Sequence, residues 1–307
     1  MTPLAVTFAG VAFQNPVVLA SGTAAYGREL HDICDLDTLG GLVTKAVSLA
    51  PRPGAKAPRV SDFPGGMINA IGLANPGVDV VRTTELPWLA THLQRARVLV
   101  NVVGNVIEDF GDVITRLEEP LGVTGYELNV SCPNVKAGGM EFGADRRVLQ
   151  AVIAHARACT TKPLVIKLSP TLSDLAGTAQ AAADAGADAI TLTNTLPGLV
   201  IDTEIRRPRI GFGSGGVSGP PLLPVGVLAT WRVSRAVSLP IIGLGGVSRG
   251  DHALQYIMAG ATLVGVGTAG MVDPRAPERI VTELARWCER HGVSSLESVR
   301  GSLQWPS

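Results

Sequence analysis

Gly125-Tyr126-Glu127-Leu128-Asn129-Val130-Ser131-Cys132-Pro133-Asn134 reads as a strand that runs into a tight turn. Tyr126, Leu128 and Val130 project to one face, Glu127 and Asn129 to the other, the period of two that a strand imposes. Pro133 fixes the backbone and removes an amide donor. Cys132 therefore sits just past a strand end, three residues after Asn129. A segment containing Gly138, Gly139 and Gly143 follows, the composition of a loop able to move over a site. Taken alone, Cys132 is a small buried hydrophobe, the usual fate of a free cysteine. The chain on either side decides otherwise.

Outward from this stretch, apolar runs recur. Before it come residues 16–21, 41–46 and 98–104; after it come 163–170, 189–195, 240–246 and 261–268. Helical patterns separate them, near residues 27–37, 173–186 and 249–260. Eight short apolar strands alternating with helices predict an α/β chain whose parallel sheet closes as a (β/α)8 TIM barrel. An open doubly wound sheet is the alternative, but the first strand–helix turn carries no GxGxxG. Residues 4–13 alternate weakly about Gly10 and read as an N-terminal hairpin. Insertions at 51–66 and 197–219 are turn-rich and follow strands two and six, on the C-terminal face where active-site loops belong. No boundary interrupts the pattern, so residues 1–307 are expected to form one barrel domain.

Composition narrows the function classes. Lys+Arg and Asp+Glu both number 26, so nothing favours nucleic acid or an anionic membrane surface. No basic segment followed by an apolar core opens the chain, and no apolar run is long enough for a membrane span. Cys34, Cys132, Cys159 and Cys288 are far apart without a CxxC pair, which argues against a metal or iron–sulfur site and against a disulfide framework. A reducing cytoplasm is the expected compartment.

A barrel places its site at the C-terminal ends of its strands. Those ends carry Ser21, Lys45, Asn101, Asn129 with Cys132, Lys167, Asn194 with Thr195, Gly245-Gly246 and Gly267-Thr268. Lys45 and Lys167 both interrupt apolar runs, and lysine is rarely buried without a partner. Each reads either as snorkelling to the rim or as pointing at an anionic or electron-rich ligand, and two at one mouth favour the ligand. Glycines ending strands seven and eight suit a phosphate, although each pair alone can simply make a tight turn. Asn69 opens the segment Asn69-Ala70-Ile71-Gly72-Leu73-Ala74-Asn75-Pro76-Gly77, and reads either as a turn residue that tolerates left-handed geometry or as an amide serving a planar imide as donor and acceptor. His31, His92, His155, His252 and His291 fall on helices or linkers and read as surface or satisfied core histidines. With no histidine at the mouth, Cys132 is the replacement proton carrier.

Together, 129–134, the 69–76 segment, 167–170, Asn194-Thr195, Ser218-Gly219 and 245–247 resemble dihydroorotate dehydrogenases over nearly the whole chain. The resemblance implies an FMN-dependent barrel that oxidises dihydroorotate to orotate in pyrimidine synthesis. It implies Cys132 as the base, with Ser21, Lys45, Ala46, Asn101, Asn129, Lys167, Thr193, Gly219, Gly245, Gly246, Gly267 and Thr268 toward FMN. Lys45, Asn69, Ala70, Ile71, Gly72, Leu73, Asn129, Asn194 and Thr195 are implied toward substrate. Thr193 departs from relatives that carry a larger aliphatic residue there; its backbone is the expected contact. A cysteine rather than serine at the base position resembles the soluble class, and 134–139 with Phe142-Gly143 resembles its NAD-linked type. That type implies a dimer of this subunit within a heterotetramer, whose second subunit carries FAD and a [2Fe–2S] cluster. The alternatives are the fumarate-using soluble type, an FMN barrel acting on another pyrimidine such as uracil, a phosphate-binding lyase or aldolase without redox chemistry, and a non-catalytic subunit that keeps the barrel as a scaffold.

Overall fold

The computed structural model describes residues 3–119, 122–131, 133–134 and 140–306. Eight strands close into one barrel: β1 (Val17–Leu19), β2 (Gly41–Val43), β3 (Arg97–Val102), β4 (Val123–Asn129), β5 (Leu164–Leu168), β6 (Ala189–Leu192), β7 (Ile241–Leu244) and β8 (Leu263–Val266). They neighbour one another in sequence order and every pairing is parallel. This is the TIM barrel expected from the alternation of apolar runs and helices.

The two faces of β4 divide as the period of two requires. Tyr126, Leu128 and Val130 point outward and pack with Phe110, Leu149 and Ile153 of the surrounding helices. Inward-facing Val18, Val43, Leu99, Val165, Ala189, Ile242 and Leu263 form a second cluster with Val6, Phe8 and Phe13. Those last three belong to the N-terminal hairpin, Val6–Phe8 against Val11–Phe13. The hairpin therefore stoppers the N-terminal end of the barrel, and its turn residues Ala9 and Gly10 take the positive φ that a tight hairpin needs. Two residues further along four of the strands, the inward positions are Asn101, Glu127, Lys167 and Thr191, all buried. The barrel interior thus turns from apolar to polar along its axis.

Both expected insertions build structure beyond loops. Leu196–Gly198, Gly215–Ser218, Gly66–Asn69 and Val60–Phe63 form a four-stranded antiparallel sheet, in that order. The stretch near 27–37 differs from the single helical pattern expected. It holds a short helix, Arg28–His31, and a separate 3-10 turn, Leu36–Thr38. The carboxylate of Asp35 accepts from the Asp37 amide at 3.1 Å and starts that turn, offering the backbone a local alternative to a continuous helix. Among the described residues no helix is long and apolar enough to cross a membrane.

Candidate active site

The C-terminal strand ends surround a cavity of about 580 Å³, within the usual range for a small-molecule site. Ser21 follows β1, Lys45 and Ala46 follow β2, Asn129 ends β4 and Lys167 lies in β5. Thr193, Asn194 and Thr195 follow β6; Gly245 and Gly246 follow β7; Gly267 and Thr268 follow β8. The capping sheet and its flanks add Asn69, Ile71, Leu73 and Gly219. Ala70 and Gly72 line a second cavity of about 340 Å³, which shares Asn69, Asn194 and Thr195 with the first. Asn101 lines neither cavity; it is wholly buried below them. Cys132 lies outside the described residues.

Lys167 and Lys45 differ in their surroundings. Lys167 is buried, and its Nζ lies 3.7 Å from Oε1 of Glu127, whose side chain is only 1% exposed. Glu127 also accepts from Asn101 Nδ2 at 2.7 Å and from Thr191 Oγ1 at 2.7 Å. Both of its oxygens are thereby hydrogen-bonded, the condition under which a buried charge is tolerated. Lys45 is half-buried on the cavity wall and, among the described residues, has no carboxylate within ion-pair distance.

Amides converge in the same cavity. Asn194 Nδ2 donates to Asn129 Oδ1 at 3.4 Å, and Asn194 Oδ1 accepts from the Thr195 amide at 2.8 Å. Asn69 Nδ2 donates to Gly216 O at 3.2 Å, tying that side chain to the capping sheet. Thr268 Oγ1 donates to Ser218 Oγ at 2.8 Å, joining the end of β8 to the same sheet. Gly245 and Gly246 take φ of +131° and +69°, and a Cβ on Gly246 would meet the Leu223 amide nitrogen at 2.6 Å. Only glycine fits there, because the turn packs directly against the backbone of Leu223.

Cys34 and Cys288 are poor proton carriers. Burial, then the charges of Glu278 and Asp35, push the Cys34 thiol up to about 12, and burial also raises Cys288. In the second cavity, burial raises the Glu141 carboxyl above its ordinary value, against a lowering hydrogen bond from Ser169. Glu127, Thr191, Tyr256 and Ser218 were not singled out as site residues from the sequence. For Glu127 the signal was present, a charge on the inward face of an apolar strand.

A family model described as dihydroorotate dehydrogenase matches residues 3–287. The catalytic subunit of dihydroorotate dehydrogenase B (NAD(+)) from Geobacter sp. (strain M21) is 45% identical over 301 residues, 98% of each chain. A putative dihydroorotate dehydrogenase A (fumarate) from Solibacter usitatus (strain Ellin6076) is also 45% identical, over 306 residues, 99% of this chain and 100% of that one. The fold is similar to that of a dihydroorotate dehydrogenase from Eimeria tenella solved in complex with ferulenol, with a TM-score of 0.82. That likeness covers 98% of this chain and 88% of the other at 24% identity, and it speaks to fold alone.

Proposed function

The chain belongs to the dihydroorotate dehydrogenase family and is an oxidoreductase, and from that premise we propose that it oxidises (S)-dihydroorotate to orotate, a step toward UMP. The observation that carries this reading is the set of amides from Asn69, Asn129, Asn194 and Thr195 in one cavity with Lys45, which has no carboxylate partner among the described residues. Dihydroorotate offers an imide edge, which needs a donor beside an acceptor, and a carboxylate, which needs a cation or donors. Lys45 supplies the cation and the asparagine amides supply both kinds of imide partner.

The reaction removes a proton from C5 and a hydride from C6. Cys132 takes the C5 proton, an assignment that rests on its place three residues beyond Asn129 and on the family pattern. A thiol serves as base only when its thiolate is favoured, and an electropositive mouth favours it. The cavity's residues fit FMN. Gly245, Gly246, Gly267 and Thr268 line the cavity together, and Thr193 Oγ1 is buried without a partner among the described residues. Gly245, Gly246, Gly267 and Thr268 would hold the phosphate; Ser21, Ala46, Thr193 and Gly219 would line the ring; and Lys167 would supply fixed positive charge. FMN, when bound, supplies the hydride acceptor, and electrons pass to NAD⁺ through a partner subunit that carries FAD and a [2Fe–2S] cluster, this chain forming the dimeric core of a heterotetramer.

A second reading has a specific observation behind it: the fumarate-type relative is as similar as the NAD-linked one. One experiment tests both. The purified chain is reconstituted with FMN, gel-filtered, reduced with dihydroorotate, and assayed with a dye, fumarate and NAD⁺. It should elute yellow, bleach with dihydroorotate and turn over the dye, but reduce NAD⁺ only when the partner subunit is added. A colourless peak would return the chain to the non-redox barrels. Bleaching by another dihydropyrimidine alone would change the substrate, and efficient fumarate turnover would sink the partner claim.

A further inference from the structure

The glycine turn after β7 is held from behind by the helix that follows it, Gly250–Met258. Tyr256 Oη donates to the Gly245 carbonyl at 2.8 Å in a fully buried contact. Its ring lies in a slot left by two further glycines. A Cβ on Gly226 would fall 2.0 Å from the Tyr256 hydroxyl, and one on Gly243 2.3 Å from the ring. His252 Nδ1 lies 3.2 Å from the Gly246 carbonyl, and His252 Nε2 lies 3.1 Å from Arg249. A guanidinium only donates, so Nε2 accepts and Nδ1 carries the proton that the Gly246 carbonyl receives. The Ser248 hydroxyl and amide also reach that nitrogen, at 3.3 and 3.4 Å, and it is the Arg249 donor on Nε2 that decides for the tautomer donating to Gly246.

Two consecutive carbonyls are thus drawn outward, toward one helix. The peptides that carry them are trans, so each N–H points opposite to its carbonyl. The amides of Gly246 and Val247 therefore face inward, where both residues line the cavity. Among the described residues neither amide has an acceptor within the protein. Successive free amides make a concave site for an anion. We propose that Tyr256 and His252 are positioning residues: by clamping the carbonyls of Gly245 and Gly246 they aim the amides of Gly246 and Val247 at the phosphate of the bound flavin. This rests on the FMN reading above. Neither side chain touches the ligand, and their effect passes through the backbone between them.

The test compares two ligands that differ only by the phosphate. The apoprotein is titrated with FMN and with riboflavin by quenching of flavin fluorescence, and its Tm is recorded. Tyr256→Phe keeps the ring in its slot and removes the donor. The affinity for FMN should fall about three- to tenfold, the scale of one hydrogen bond, with riboflavin unchanged. His252→Ala should act in the same direction, and His252→Asn, whose amide overlays Nδ1, should recover most of the loss. If Tyr256→Phe fails to fold, the two His252 variants carry the comparison alone. Equal weakening of FMN and riboflavin would reduce both residues to structural props and overturn the proposal, as would FMN affinity that neither change moves. A wild-type chain that binds neither flavin would remove the FMN reading and this inference together. One that binds FMN while all variants match it removes this inference only.

Discussion

Replacing Glu127 by Ala inside the barrel tests whether the buried pair is the constraint that its geometry implies. Glu127 holds three donors: the Lys167 ammonium at 3.7 Å, Asn101 Nδ2 at 2.7 Å and Thr191 Oγ1 at 2.7 Å. The Lys167 side chain is only 7% exposed, so its ammonium would be left largely desolvated. Removing one partner of a buried ion pair costs about 3–5 kcal/mol, because the remaining charge stays desolvated and unpaired. Against a total stability of about 5–15 kcal/mol that is a large fraction. At about 2 °C per kcal/mol for a chain of this size, Tm should drop by roughly 6–10 °C. The control is the surface pair Arg116–Asp79, whose side chains are 47% and 70% exposed; Asp79→Ala should cost under about 1 kcal/mol. Urea unfolding followed by far-UV circular dichroism measures both. A second arm pairs Glu127→Leu with Lys167→Met. The double variant should lose much less than the sum of the single ones, since no charge remains stranded. A loss under 1 kcal/mol for Glu127→Ala, or additive single losses, would refute the reasoning and leave the pair without structural weight.

Cys132→Ala should retain FMN but lose roughly 10²–10⁴ in dihydroorotate oxidation, the worth of a positioned base, and Cys132→Ser should keep part of the rate and gain as pH rises. Near-normal flavin reduction by Cys132→Ala in a single turnover would remove the residue from the mechanism. Cys34, raised from 9.0 to about 12 chiefly by burial, should escape thiol reagents in the native protein at pH 8, where about one thiol in ten thousand is ionised. The stability tied to keeping that thiol protonated is complete below pH 9.0 and is lost as pH rises toward about 12, so Cys34→Ala should flatten an alkaline unfolding profile; rapid labelling at pH 8 would contradict it.

The barrel was legible because a strand covered on both faces leaves a near-continuous apolar run, and each run here breaks with a polar residue or glycine at its C-terminal end. The capping sheet was not legible. Its central pairing joins Gly216 to Asn69, 147 residues apart, through segments whose glycines and prolines read locally as turns. Tertiary pairing supplies what local propensity withholds. His252 was legible as a helical residue but not as a neighbour of Gly246, because that contact depends on how the helix crosses the end of β7.

The face of each β4 residue was also read correctly from the period of two, but the period gives only a side. Depth along the barrel axis is a separate coordinate, and the hairpin sets it. On β3, Leu99 meets the hairpin cluster, while Asn101, two residues on, sits beside Glu127 in register. On β5, Val165 meets the cluster and Lys167 follows it; on β6, Ala189 is followed by Thr191 and then Thr193. Asn101 was expected at the ligand; it is buried and lines neither cavity, and Glu127 escaped notice because it lies at that same depth. A long side chain changes the outcome: Lys167 shares this layer and still reaches the cavity wall. Counting inward residues from the last one that touches the hairpin separates the residues that build the floor from those that meet the ligand. That count requires knowing that the hairpin enters the barrel, which Phe8 and Phe13 reveal only once the strands have closed around them.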